Sequence, residues 1–394
     1  MSNSMGLSLS QAVPLTGGSF SVGSNLSRIQ RLSDTVASYS ASLLSVGYNQ
    51  SLNGYNEQKW KQKTEPLRYK IDRLKFLQKL EDIRINALNM FFALSASYEN
   101  YNNAEANLQD ADTLLKIASG RYKMGTVTEN EVLQMRLNLL NQESALEDAR
   151  LSLEDSEYNL RSFLGITENV SFIMLPPEKI KPIEINESQV LAQAKENNPD
   201  YLSISLNRIE NKMNLSQARA NRYGNIEMSV ALGFDNSSSQ FSQLNKYPSG
   251  SQSVSVGFTV PLIDWGKAKG QYKMAESSHK LQTIQINQAE QDFEKRLLNL
   301  AYQFNRHKNR LRIAATTDTI AQRSFEIIKY RFVLGEIDVL ELNKAILDKD
   351  NSKRGYLEAI KNYWVDYYSL RKETLYDFEA GQPIMFDLDA LIVQ

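Results

Sequence analysis

Charge is absent from three long stretches of this chain and dense everywhere else. Residues 1–27 and 36–56 carry no Asp, Glu, Lys or Arg, and residues 228–263 carry only Asp235 and Lys246. Together these stretches are 84 residues with 2 charges, where the chain-wide 23% would place about 19. They also hold half of the 18 glycines. One globular core does not sort residues in this way. The sequence describes two materials, one charged and poor in glycine, the other uncharged and rich in Gly and Ser.

The charged material reads as very long helices. From Pro66, placed here in a first helical turn, to Met124 there is no further proline and one glycine, Gly120. Apolar or small residues recur at Leu88, Phe91, Leu94, Tyr98, Tyr101, Ala104, Leu108, Ala111, Leu115 and Ala118. Their spacings alternate between 3 and 4, the period of a supercoiled helix. After Gly125 a heptad runs through Val132, Leu139, Leu146, Leu153 and Leu160 and stops at Gly165. Residues 267–334 form a third run, about 100 Å long if wholly helical. A fourth follows Gly335, through Val339, Leu342, Ile346, Ile360, Tyr363, Tyr367 and Leu370. Patterns of this length point to antiparallel coiled coil.

The uncharged material reads as four strands. Ile226, Met228, Val230, Leu232 and Phe234 alternate with Glu227, Ser229, Ala231, Gly233 and Asp235. Val254, Val256, Phe258, Val260 and Leu262 alternate with Ser253, Ser255, Gly257, Thr259 and Pro261. Each is about ten residues of period two, the length at which a tilted strand crosses a bilayer. Weaker versions cover residues 18–28 and 40–52, and residues 7–13 are candidates for a further short strand.

Several classes are excluded by composition. With no cysteine there is no disulfide scaffold, thiol catalysis or Cys-based metal site. The two histidines, His279 and His307, lie in charged helical surroundings and are read as surface residues. No phosphate-binding Gly loop, catalytic triad or metal-ligand spacing occurs, so no enzyme activity, cofactor or metal is expected. A net charge of −1 gives no bulk attraction to nucleic acid. Mean hydropathy is −0.43, and no apolar run is long enough for a transmembrane helix. The first residues have neither the basic region nor the apolar core of a signal peptide.

The two halves read as copies offset by 210 residues. Ser45-Val46-Gly47-Tyr48 falls on Ser255-Val256-Gly257-Phe258, Lys59 on Lys269, Asp82 on Asp292, Leu88-Asn89 on Leu298-Asn299, Arg121 on Arg331 and Gly125 on Gly335. One unit is strand, loop, strand, long helix, Gly turn, return helix. Residues 1–165 form the first repeat and 166–394 the second, which opens with a Pro-punctuated linker and an extra helix. The counterpart of that helix would precede residue 1, so an incomplete N-terminus is expected. The two turns are read as unequal, Gly125 to Val132 against Gly335 to Val339, giving non-equivalent tips.

Half-buried strands must set their apolar face against something. The helices use their apolar stripes on one another, which leaves lipid, and lipid requires a closed barrel. Four strands cannot close one. Two copies give eight strands, whose interior fills with side chains, whereas three copies give twelve and leave a lumen. Met228, Val230, Leu232, Phe234, Val254, Val256, Phe258 and Val260 are then the lipid-facing set. Ser229, Ala231, Gly233, Ser253, Ser255 and Gly257 suit a water-filled interior. Trp265 and Tyr247 are candidates for an aromatic belt, Trp265 equally for packing at the strand–helix junction, and Asp264 for a helix cap.

At this point the chain resembles the TolC-like outer-membrane efflux proteins. The resemblance rests on Val260-Pro261-Leu262-Ile263-Asp264-Trp265-Gly266, on Arg331-Phe332-Val333-Leu334-Gly335-Glu336-Ile337-Asp338-Val339-Leu340, and on the first-half turn from Arg121 through Gly125 to Leu133. Asn198-Pro199-Asp200-Tyr201-Leu202 and Phe163-Leu164-Gly165 fit as well. Leu52-Asn53-Gly54-Tyr55-Asn56 before Lys59-Trp60 looks like the variant of Bacteroidetes-type members.

The resemblance implies a homotrimer with a 12-stranded barrel in the outer membrane on an α-helical tunnel in the periplasm. It implies an exit duct of a tripartite pump or type I secretion system, with a periplasmic adaptor and an inner-membrane transporter as partners. It places the adaptor contact and the gate at the helix turns, here Gly125, Thr126, Val127, Glu129, Glu131, Val132, Arg331, Gly335, Glu336, Ile337, Asp338 and Val339. Tight reversal at Gly125 and Gly335 agrees with that placement. The acidic side chains there are equally read as ordinary first-turn residues that complement the helix dipole. A periplasmic adaptor or a coiled-coil scaffold without channel activity is the alternative.

Overall fold

The charge-free segments form one antiparallel sheet. In the computed structural model, which describes all residues except 1, 31–36, 169, 171, 175–179, 181, 224, 245, 247–248, 260–263 and 385–394, its strands are β1 (Ser2–Val13), β2 (Gly18–Gln30), β3 (Ala37–Ser51), β4 (Asn225–Ser238) and β5 (Ser249–Thr259). They follow one another in spatial order as in sequence. The expected strands at 18–28, 40–52 and 226–235 are present and longer. That over 253–262 is described to Thr259; Val260, Pro261 and Leu262 lie outside the described residues.

The four-strand expectation is corrected to five described strands. Residues 7–13 are the end of a twelve-residue strand that pairs with β2 along its whole length. Gly6 and the run of serines weaken the alternation in the sequence, while the ladder depends only on backbone groups finding partners. One extra residue in β3, between Ser42 and Leu44, shifts its register against β4 and, opposite Gly23 to Asn25, against β2.

The charged segments form helices α1 (Glu57–Lys123), α2 (Glu129–Leu164), α3 (Glu187–Asn197), α4 (Pro199–Ala220), α5 (Lys267–Leu334) and α6 (Val339–Thr374). None is apolar enough over its length to cross a membrane. α1 begins nine residues earlier than Pro66 suggests, and Pro66 lies inside it. One missing N–H there forfeits a single hydrogen bond. Asn56 starts the helix, its Oδ1 accepting from the amide of Lys59 at 2.9 Å. Asp264 caps α5 as expected, accepting from Gly266 N at 2.9 Å and Ala268 N at 3.0 Å. Trp265, with φ +49°, is almost fully exposed rather than packed.

The chain divides into two compact units. The first, residues 1–72 and 199–292, holds the sheet, α4 and the adjoining parts of α1 and α5. Polar contacts tie α4 to its neighbours there. Arg68 pairs with Glu210, Arg208 with Glu290 at 2.7 Å, and Asn211 Nδ2 donates to Thr283 Oγ1 at 3.2 Å.

The second unit, residues 73–198 and 293–394, holds α2, α3, α6, the remaining parts of α1 and α5, and the two-residue strands β6 (Tyr376–Asp377) and β7 (Gln382–Pro383). Its core includes Leu114 and Ala118 of α1, Met135 of α2, Phe325 and Phe332 of α5 and Leu342 of α6. Full burial of a side chain such as Leu342 stabilises by about 1.5–3 kcal/mol. A second patch joins Phe304, His307, Tyr363 and Tyr367. His307 is thus not a surface residue. It is 1% exposed, and its Nε2 lies 2.7 Å from Asp366 Oδ2. Its sequence neighbours are charged because only one helical position in three or four faces the core. His279 is half-buried.

Candidate functional site

Strand periodicity and register sort the sheet into two chemically different faces. Directly opposed residues share a face. One row reads Leu9, Val22, Val46, Leu232, Gln252, and the next Gln11, Phe20, Tyr48, Val230, Val254. The other face reads Ser10, Ser21, Gly47, Ala231, Ser253 and Ser8, Gly23, Ser45, Gly233, Ser251. Met228, Val230, Leu232, Phe234, Val254 and Val256 therefore share one face, with Phe258 at the register position opposite Ile226. Val260 lies outside the described residues, as does Tyr247.

The apolar face is uncovered in the protomer. Leu7, Leu9, Leu232, Phe234, Val254 and Val256 are all half or more exposed, Val254 to 72%. The opposite face carries hydroxyls that turn back to the ladder. Ser45 Oγ donates to Gly23 O at 3.1 Å, and Ser21 Oγ to Gly47 O at 3.4 Å. Such a sheet presents an apolar wall on one side and small, wettable groups on the other.

The second candidate site is the pair of helix turns. Both are the same device. Gly125 (φ +73°) donates to Tyr122 O at 2.9 Å, and Thr126 N to Arg121 O at 3.0 Å. Gly335 (φ +85°) donates to Phe332 O at 3.0 Å, and Glu336 N to Arg331 O at 3.0 Å. Each is a Schellman ending, which satisfies the last carbonyls and needs a left-handed residue. Three residues after each glycine a side chain caps the next helix. Thr128 accepts from Glu131 N at 3.3 Å, and Asp338 from Glu341 N at 2.9 Å.

The expected inequality of the turns is therefore corrected. α2 restarts at Glu129 and α6 at Val339, each four residues after its glycine. The error came from matching Val132 to Val339, when Val132 corresponds to Leu342. Apolar identity does not set helical phase across a turn.

The two turns pack together. The guanidinium of Arg121 donates to Phe332 O at 3.0 Å and to Val333 O. Arg331 pairs instead with Glu336 at 3.1 Å. Val132, Val339 and Ile337 pack into the core cluster. Thr126, Glu129, Glu336 and Asp338 are exposed, Val127 and Glu131 half-buried. A cleft of about 540 Å³ lies between the turns, lined among others by Arg121, Val127, Glu131, Ile337 and Asp338. Around it stand exposed apolar side chains absent from the sequence-based site, Met124 (71%), Leu133 and Leu340 (74%). Leu133 follows the half-buried Val132 and Leu340 the buried Val339, and that offset was the available signal for these two. No group of acidic or histidine side chains suited to a metal ion occurs among the described residues.

The comparisons follow this geometry. A model of the outer membrane efflux protein family matches residues 14–166 and 190–372. No curated protein matches the sequence. Among solved structures, the outer membrane channel CmeC of Campylobacter jejuni aligns with TM-score 0.67 at 16% identity, covering 100% of this chain and 80% of its own. The outer membrane protein VceC of Vibrio cholerae aligns with TM-score 0.67 at 13% identity, over 94% and 88%. The open-state MtrE channel of Neisseria gonorrhoeae aligns with TM-score 0.54 at 16% identity, over 93% and 80%.

Proposed function

The chain belongs to the outer membrane efflux protein family, and we propose that it is the exit duct of a tripartite efflux pump or a type I secretion system. Its sheet joins those of two further copies in a barrel through the outer membrane. Its helices line a tunnel in the periplasm. A periplasmic adaptor meets the helix turns, and an inner-membrane transporter supplies the energy.

One observation carries this reading: an open five-stranded sheet with one bare apolar face and one small-polar face. In water the apolar face would need a cover. In lipid it needs none, but the open edges do, and only closure provides partners for their N–H and C=O groups. Copies of the chain supply that closure. The small-polar side then faces a water-filled lumen.

The test is fractionation and conductance of the full-length protein. We expect recovery in the outer membrane, extraction only by detergent, and channels in planar bilayers. Leu232→Arg, on the apolar face, should cost assembly about 2–4 kcal/mol if it lies near mid-membrane. Ala231→Arg, on the other face, should leave assembly intact and change ion selectivity. Recovery without detergent in the soluble fraction would sink the proposal in favour of an adaptor or scaffold.

A further inference from the structure

The small-polar face of the sheet carries two charges, and both are negative. By the period of β4, Glu227 and Asp235 share that face with Ala231 and Gly233. The register sets only Ser, Gly, Ala, Asn, Thr and one Ile beside them in the other described strands. The one cation of those strands, Arg28, falls on the opposite face with Leu26. The two carboxylates are eight residues apart on one strand, about 27 Å. Glu227 opposes Ser51, just before α1, and so marks the end of the sheet next to the helices. Asp235 opposes Ser42 and Ser249 at the end away from them.

The Asp235 carboxylate is held on the face rather than neutralised there. It is exposed, and its Oδ2 accepts from Ser251 Oγ at 2.5 Å. Ser251 opposes Gly233, which has no side chain to stand between them. Among the described residues no cation pairs with Asp235. The surrounding hydroxyls have the same preference for positive charge. Ser45 donates to Gly23 O at 3.1 Å, Ser21 to Gly47 O at 3.4 Å and Ser253 to Ala231 O at 3.5 Å. A hydroxyl whose proton is spent on a backbone carbonyl presents oxygen lone pairs outward. At physiological salt the field of a charge reaches about 8 Å, so Glu227 and Asp235 act separately, each at its own end.

Resting on the reading of this face as the lumen of a membrane barrel, we infer that Asp235 is the residue that selects for cations at the outer mouth of the channel. Each copy of the chain adds one carboxylate at the same level, so the assembled mouth carries a ring of negative charge. A lumen with low-dielectric walls focuses that field, and acidic rings of this kind favour cations. Positively charged solutes are concentrated at the mouth and anions are held back. The neutral, hydroxyl-lined wall below it adds no cationic step to oppose their passage.

The absence of cysteine allows single reporters. Ser40 is exposed and opposes Ser237, which makes it a diagonal neighbour of Asp235, about 7–8 Å away. Cells carrying the full-length protein with Ser40→Cys are treated from outside with a cationic and an anionic methanethiosulfonate, neither able to cross a membrane. Each rate is divided by that with a small free thiol. At about 10 mM salt the cationic reagent should be favoured about tenfold. Asp235→Asn, or Asp235→Ser if Asn disturbs assembly, should lower that ratio at least about threefold, and Asp235→Lys should invert it. Glu227→Gln should leave it unchanged, and at about 1 M salt the variants should converge. The charge of the cell surface is common to all of them, so only the change counts. Ser253→Cys, deeper on the same face, reports whether water follows the face inward. A ratio unmoved by neutralising Asp235 overturns the inference and leaves the channel reading intact. A Ser253→Cys thiol that neither reagent reaches, in protein recovered from the outer membrane, overturns the lumen reading and the inference together.

Discussion

Arg121 of α1 caps the end of α5 by donating to the carbonyl of Phe332 at 3.0 Å. The last carbonyls of a helix have no donors within it, and a cation there also favours the dipole. Arg121→Ala should lower stability by about 1–3 kcal/mol. Arg121→Lys keeps the charge but loses the fork that reaches two carbonyls, and should recover only part. Thermal unfolding of both variants in detergent measures this. Full recovery by lysine would mean that charge alone matters.

The two turn glycines should respond differently to alanine. Both carry positive φ, which costs a side chain about 1–2 kcal/mol. Nothing lies within 4 Å of a Cβ at Gly125, whereas one at Gly335 would stand 3.1 Å from the Arg121 guanidinium. Gly335→Ala should therefore destabilise more than Gly125→Ala in the same assay. Equal losses would show that the guanidinium yields freely.

Asp338 allows cap and charge to be separated. Its carboxylate accepts from Glu341 N. Asn caps as well as Asp, whereas Ala costs about 0.5–2 kcal/mol. As a cap alone, Asp338→Asn should match the parent in stability and single-channel conductance, and Asp338→Ala should lose stability. A conductance rise common to both variants would assign the charge to gating.

Acid should loosen the contact between α6 and β6. Burial disfavours the Asp377 carboxylate, but the amide of Ala380, the Tyr367 hydroxyl and the Arg371 guanidinium outweigh it and hold its pKa below the ordinary range. Burial likewise opposes, and Lys372 outweighs, at Asp82. A depressed pKa contributes stability above the unfolded value, about 3.9, and loses it as pH falls through the folded value. Asp377→Asn should be less stable at pH 7 and show a shallower decline below pH 4. An unchanged slope in acid denaturation would remove Asp377 as a cause.

Buried His307 and half-buried Asp366 should behave as one unit. Asp366→Ala leaves the imidazole without its 2.7 Å partner and should cost about 1–3 kcal/mol. His307→Phe keeps an aromatic ring beside Phe304 and Tyr363 and should cost less. Denaturant unfolding of the two variants and the pair gives the coupling. Additive losses would show that the contact contributes nothing.

Legibility was uneven along the chain. The faces of β4 and β5 could be read from period two alone, because a strand's side chains must alternate. The Gly125 and Gly335 reversals could be read because few residues tolerate a left-handed turn. The burial of His307 could not, since a lone polar residue on a long helix reveals its face only when a neighbouring helix is in place. Nor could Arg121 as a cap for α5, since its partners lie 211 and 212 residues away.

By itself the sequence determined the materials: which segments are strand and which helix, which strand face is apolar, and where the helices reverse. These follow from short-range periodicity and backbone sterics. Tertiary structure alone decided how many strands the sheet holds, that both turns are one device, and which arginine serves which helix end. Those depend on register and phase, which are set when distant backbone groups pair and carry no local signature.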